Sequence, residues 1–258
     1  MRYLAATLLA LISAQAWANE LDSLLQQVQV FGTPMAAVQR AVQDLAPPNL
    51  SKKDVDSLLQ QARVLGAPMA AVQRAIQISR QPIFPKKDVL AVFDISQPSA
   101  KKRFYVLDFK TGQVTAHYAA HGRDNGPNAK AIKFKGFQTD LDMVPLGPLK
   151  TAHSEVMEPY KKIVDRYDGS VYPDMIVVAL EGVTSYNSYV NHTPPFKWFI
   201  HPNWYTTAGF RAKNRGMLGR SNGCVVVDPV ENNQIVTRLQ DGALVFVTVG
   251  DAPIEQYL

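Results

Sequence analysis

The sequence predicts a mainly β domain with short helices, preceded by an N-terminal α-helical repeat region. Two observations carry that prediction. The first third of the chain repeats itself at helical periodicity, and from about Asp88 onward the apolar residues fall into short β-type runs parted by turn residues.

Residues 1–18 read as a secretory signal peptide: Met1-Arg2 precedes an apolar run, "YLAATLLALISA", too short to span a bilayer, and Ala16-Trp17-Ala18 gives a small-x-small cleavage pattern. No retained membrane anchor is expected, and the mature chain of about 240 residues, starting near Asn19, is exported to the periplasm or beyond. Its formal net charge of +5 is not gathered into a basic arm, which suits an anionic wall polymer, while export argues against a nucleic acid partner.

Residues 19–81 hold two 34-residue repeats. "DSLLQQVQVFGTPMAAVQR", from Asp22 to Arg40, returns as "DSLLQQARVLGAPMAAVQR", from Asp56 to Arg74. Each copy predicts a helical hairpin. Leu24, Leu25 and Val28 have helical spacing, Gly32 closes the first helix, and Thr33-Pro34 starts the second. In the second copy Ala67 stands where Thr33 stands in the first, which predicts a weaker cap. The hairpins pack on the following domain or on each other, and either dock a protein partner or form an appendage. Because they offer no strand to a β core, the domain at 88–250 is expected to fold without residues 19 to 80.

That domain contains the strand-like runs "VLAVFDIS", "RFYVLDF", "QVTAHYAAHG", "MIVVALEGV", "KWFIH", "CVVVD" and "ALVFVTV". Phe109 to Gly112 turns between the second and third runs. Asp228 and Pro229 cap and open one helix, "VENNQIVTRLQ". The Asn-, Pro- and Gly-rich stretches around 121–150 and 182–220 read as the loops that carry a site.

Within "MLGRSNGCVVVDP", residues 217–229, two nucleophiles compete. Ser221 sits in a G-x-S-x-G pattern, but the chain before it reads as loop, the chain after it as strand, and no histidine follows His201, which is the reverse of a nucleophile elbow. Cys224 is the only cysteine of the chain, so in an oxidising compartment it cannot pair within the molecule. It is the better nucleophile. A thiol needs a base and amide donors for the oxyanion. The N–H groups of Gly223 and Cys224 are the expected donors, and His201, at the end of "KWFI", is the expected base. Ser221 orients its neighbours. His121 either contacts substrate or holds a loop, and Trp204 and Tyr205 either line a groove or cover the core. His117 and His121 have H-x-x-x-H spacing but would lie about 13 Å apart on a strand, so neither a metal nor any other cofactor is expected.

"FIHPNWY" followed by "GRSNGCVVV", with "SAKKRFYVLDFKTGQVTAHYAAHGRDNGPN" upstream, resembles the L,D-transpeptidase catalytic domain of the YkuD-like class. The resemblance spans roughly Val89 to Gly250. It implies an L,D-transpeptidase-like β-rich fold, a thioester on Cys224, His201 as general base and peptidoglycan stem peptides as substrate. Val226 stands where the family often has arginine, and the upstream "HGRDNGPN" resembles the subgroup lacking it. Carboxylate recognition then falls to Arg220 or Arg123, with Asn222 beside the nucleophile as a further substrate contact. A hydrolase of the same fold, with water as acceptor, and a non-catalytic wall-binding protein are the alternatives.

Overall fold

The computed structural model describes residues 52–134, 142–191 and 198–257. The expected signal peptide and the first repeat copy lie outside the described residues. No helix among the described residues is long and apolar enough to cross a membrane.

The protein is β-rich with a few short helices. The strands are β1 (Val89–Asp94), β2 (Phe104–Asp108), β3 (Gln113–His117), β4 (Ala119–Ala120), β5 (Gly147–Glu155), β6 (Ile163–Val164), β7 (Val171–Tyr172), β8 (Val177–Gly182), β9 (Phe199–Pro202), β10 (Val225–Val227) and β11 (Leu244–Thr248). One sheet runs in the order β3-β2-β1-β11-β5-β8-β9-β10-β4, and β6 pairs with β7 apart from it. β3 and β4 stand at opposite ends of that order, yet only Tyr118 separates them in the chain. The sheet therefore curls until its two edges meet. Arg103 fastens the junction: its amide donates to His117 O at 2.9 Å and its Nε to Ala119 O at 3.0 Å.

The second repeat copy forms α1 (Lys52–Val64) and α2 (Met69–Ser79), with Gly66 closing α1 in the left-handed conformation at φ +83°. Leu58, Ala62, Val72, Ala75 and Ile76 are buried in the same core as Leu90, Phe104 and Phe246. Gln61 fits its side-chain amide to the β2–β3 turn, donating to Gly112 O at 2.9 Å and accepting from Val114 N–H at 3.1 Å. The N-cap of α2 is Pro68, one residue later than the expected Ala67, and no side chain of its own turn provides a cap. Asp251 supplies one instead: its Oδ1 accepts from the amides of Ala70 at 2.7 Å and Ala71 at 3.3 Å. The apolar face of this hairpin is thus spent on the sheet, as part of the core and not as an appendage.

β5 lies mid-sheet between β11 and β8, in a stretch that reads as loop from sequence. Its Gly-Pro start and its polar Lys150, His153 and Ser154 hide the alternation that marks a strand. Asn187 Nδ2 satisfies the carbonyls of Leu146 and Pro148, each at 3.0 Å. Besides α3 (Ala208–Lys213), the C-terminal half holds α4 (Pro229–Leu239), which opens as its sequence predicts: Asp228 Oδ1 accepts from Val230 N–H at 3.0 Å and Pro229 occupies the first turn. It covers the face of β8 and β9 that carries Val178, Leu180 and Ile200.

Candidate active site

β9 and β10 run parallel, with Val225 beside Ile200, Val226 beside His201 and Val227 beside Pro202. Paired residues share a face and successive residues alternate, so Cys224, Val226, Phe199 and His201 lie on one side. The packing divides in the same way. Ile200, Val225 and Val227 join the core beneath α4, whereas Phe199, Cys224 and Val226 join a second cluster with Ala120, Val177, Ala179 and Leu218. The register sets the α-carbons of Cys224 and His201 on the order of 8 Å apart, one strand across and two residues along.

Cys224 is 8% exposed, at the mouth of β10. Burial pushes its thiol up to about 11, partly offset by the hydrogen bond that the Phe199 amide donates to the sulfur. Burial likewise holds His201 down to about 4, opposed by its bond to Pro202. At neutral pH both groups are uncharged. His201 Nδ1 lies 2.9 Å from Pro202 O, and because a carbonyl only accepts, Nδ1 carries the proton and Nε2 keeps its lone pair.

Two tyrosines wall this pair. The Tyr160 ring lies 4.1 Å from the His201 ring, tilted by 32°. Burial first, and then the charge of an ionised Cys224, push the phenols of Tyr160 and Tyr205 above their ordinary value. Tyr205 therefore belongs beside the sulfur. Trp204 points elsewhere, edge-on to Phe210 at 5.4 Å and beneath the Arg166 guanidinium at 3.9 Å. Tyr160 lies between β5 and β6 with no pattern around it, so sequence reasoning had no signal by which to find it.

The turn before Cys224 is held from within. Gly223 sits at φ +98°, where a β-carbon would strain the backbone. Ser221 is 2% exposed; its hydroxyl donates to Cys224 O at 2.7 Å and accepts from Gly223 N–H at 3.2 Å. The serine thus orients the turn, with its proton committed to the Cys224 carbonyl. The Gly223 amide, expected to serve the oxyanion, is engaged by Ser221. Asn222 is exposed at the tip.

The loop from His121 to Pro127 grips this turn. Ser221 N–H donates to His121 O at 2.9 Å and Arg123 N–H to Ser221 O at 2.8 Å. Gly122 lets it approach the neighbouring chain, for a β-carbon there would meet Asp142 O at 1.9 Å. His121 is wholly buried, with Nδ1 2.7 Å from Arg103 Nη2 and Nε2 3.1 Å from Pro127 O. Both nitrogens are taken, and the ring holds the loop, the second of the two roles expected for it. Arg123 gives its guanidinium to Asp142 in a two-pronged ion pair. Arg220 is exposed, with Nη1 on the carbonyls of Arg123 at 3.3 Å and Gly126 at 3.1 Å, and among the described residues no carboxylate pairs with it.

Residues 65–156 match the family model YkuD_2, described as L,D-transpeptidase catalytic domain. This segment is similar to that L,D-transpeptidase catalytic domain. The match begins just before α2, takes in β1 to β5 with Arg103 and His121, and ends before His201 and Cys224. Three solved structures resemble the chain more distantly. An L,D-transpeptidase from Mycobacterium smegmatis is 16% identical over 62% of this chain and 58% of that one, with a TM-score of 0.31. An LD transpeptidase in complex with imipenem is 14% identical over 62% and 59%, at 0.33. The helical cell shape determining protein Pgp2 from Campylobacter jejuni is 13% identical over 72% and 58%, at 0.34. The chain spans about three fifths of the length of each. No curated protein sequence matches it.

Proposed function

We propose that the protein is an exported, cysteine-dependent L,D-transpeptidase that acts on peptidoglycan stem peptides through a Cys224 thioester. The β9–β10 register carries the reading: it puts the only cysteine and a buried neutral imidazole on one face, while the competing serine spends its hydroxyl on the Cys224 carbonyl. The family match of residues 65–156 supports the reaction class.

Starting from two uncharged groups, the proton moves during attack. A thiol held near 11 is not ionised at rest, so His201 Nε2 takes its proton as sulfur attacks the stem-peptide carbonyl carbon. The S–C bond forms, and the oxyanion is met by the Cys224 amide, since Ser221 engages that of Gly223. Collapse breaks the C–N bond, and the leaving amine departs with the proton from His201. A second amine then attacks the thioester, gives its proton to His201, and sulfur recovers that proton on leaving. Tyr160 and Tyr205 shield the sulfur, which keeps the thioester from water until the amine arrives. Arg220 holds a substrate carboxylate; Arg123, already paired with Asp142, does not.

Incubation with murein tetrapeptide and excess D-amino acid, read by mass, tests the reading. Exchange of the terminal residue is expected. Tripeptide alone, unaffected by added amine, would assign hydrolysis instead.

A further inference from the structure

We propose that Arg103, acting through His121, is a positioning residue for the Cys224 turn, an inference that rests on Cys224 being the nucleophile. Arg103 has no exposed surface. A guanidinium buried this deeply is costly unless its donors are all used. Its partners are carbonyls and one imidazole: Ala119 O at 3.0 Å, Ile95 O at 3.3 Å, Gln97 O at 2.6 Å and His121 Nδ1 at 2.7 Å. The Ala119 bond belongs to the closure of the sheet, and the Ile95 and Gln97 bonds tie the guanidinium to the segment after β1. The fourth serves neither task.

Arginine only donates, so His121 Nδ1 must accept, and Nε2 must carry the proton that it gives to Pro127 O. A one-way chain of donors therefore runs from the guanidinium into the loop from His121 to Pro127. The backbone of that loop clasps Ser221 on both sides, and the Ser221 hydroxyl sets the carbonyl of Cys224. The carbonyls of Arg123 and Gly126 in the same loop hold Arg220. One buried cation thus sets the placement of both the nucleophile and the guanidinium proposed to bind the substrate carboxylate. Displacement of about 1 Å costs an acyl transfer on the order of a hundredfold, whereas simple alkylation of a thiol has no such geometric demand.

The test uses the full chain and three variants. His121→Phe keeps the bulk and loses both bonds. His121→Gln restores an acceptor toward Arg103 and a donor toward Pro127. Arg103→Lys keeps the charge and loses the fork. For each, the acylation rate of Cys224 by a carbapenem is divided by its alkylation rate by iodoacetamide, alongside the melting temperature. The expected result is a fall in that ratio on the order of a hundredfold in His121→Phe, an intermediate fall in Arg103→Lys, and recovery of most of it in His121→Gln. A ratio equal to wild type in folded His121→Phe, or in Arg103→Lys should the former not fold, would overturn the proposal. So would a loss in His121→Gln as deep as in His121→Phe. Carbapenem labelling that survives Cys224→Ala would sink the nucleophile assignment itself, and is read separately from the variant ratios.

Discussion

Ser221 donates its hydroxyl proton to the carbonyl of Cys224 across 2.7 Å, so the two residues that compete for the nucleophile's role are joined by the serine's own hydrogen bond. Cys224→Ala should abolish turnover. Ser221→Ala should keep measurable activity while losing stability by about 1–3 kcal/mol, because it leaves a buried carbonyl and the Gly223 amide without their partner. Assays of both purified variants, with thermal melts, decide the point; equal and complete loss in folded protein would return the serine to candidacy.

His201→Gln should slow acylation of Cys224 by at least about a hundredfold, the usual loss when a general base is removed. His121→Gln should cost much less, since its side chain can keep both of the native bonds. Single-turnover acylation rates give the comparison, and a deeper loss at His121 would mean that the wrong histidine is assigned as base.

The pH dependence follows from the two uncharged groups. His201 protonates only near 4, so the acid limb of kcat/KM should fall there and not near the ordinary histidine value of 6.5. Cys224 ionises near 11, so its alkylation by a small neutral reagent should keep rising with pH past 9. A plateau of the alkylation rate near pH 6 to 7 would reveal a resting thiolate–imidazolium pair instead.

Stability should also decline on acidification through these histidines. Both have folded values below 6.5, about 4 for His201 and about 3 for His121, in each case chiefly because burial penalises the charged ring. Above 6.5 neither the folded nor the unfolded form carries the proton. Below it the unfolded chain takes protons that the folded one refuses, and each group removes about 1.4 kcal/mol per pH unit until its folded value is reached. Chemical denaturation between pH 7 and 4 should show a shallower slope for His121→Gln than for wild type, and identical slopes would contradict the burial argument.

At the N-terminus, Asp251→Ala should lower stability by about 1 kcal/mol, the cost of a lost helix cap, although the residue is far from the site in sequence. Deleting residues 19 to 80, which the sequence alone predicts to be harmless, should give aggregating protein, because it strips α1 and α2 from the core that they share with β1, β2 and β11. A soluble, cooperatively melting deletion would show that the sheet can do without them.

What the sequence discloses and what it hides have separate causes. The continuous apolar runs in "VLAVFDIS" and "ALVFVTV", and the Asp228-Pro229 helix start, are local signals, and β1, β11 and α4 lie where those signals put them. Cys224 and His201 stand out because there is one cysteine and one histidine at a strand end leading toward it. Tyr160, Arg103 and β5 stay hidden because their roles come from tertiary neighbours: a stacked imidazole, four acceptors brought from separate segments, and a strand whose Gly-Pro start mimics a loop. Arg123 and Arg220 look alike in sequence, and only the presence of Asp142 beside the first tells them apart.

The most direct test of the central claim is mass spectrometry of acid-quenched enzyme after brief exposure to murein tetrapeptide. The expected result is an acyl adduct on the peptide that carries Cys224, discharged when an amine acceptor is added and absent from Cys224→Ala. Turnover with no adduct on Cys224, or an adduct on Ser221, would contradict it.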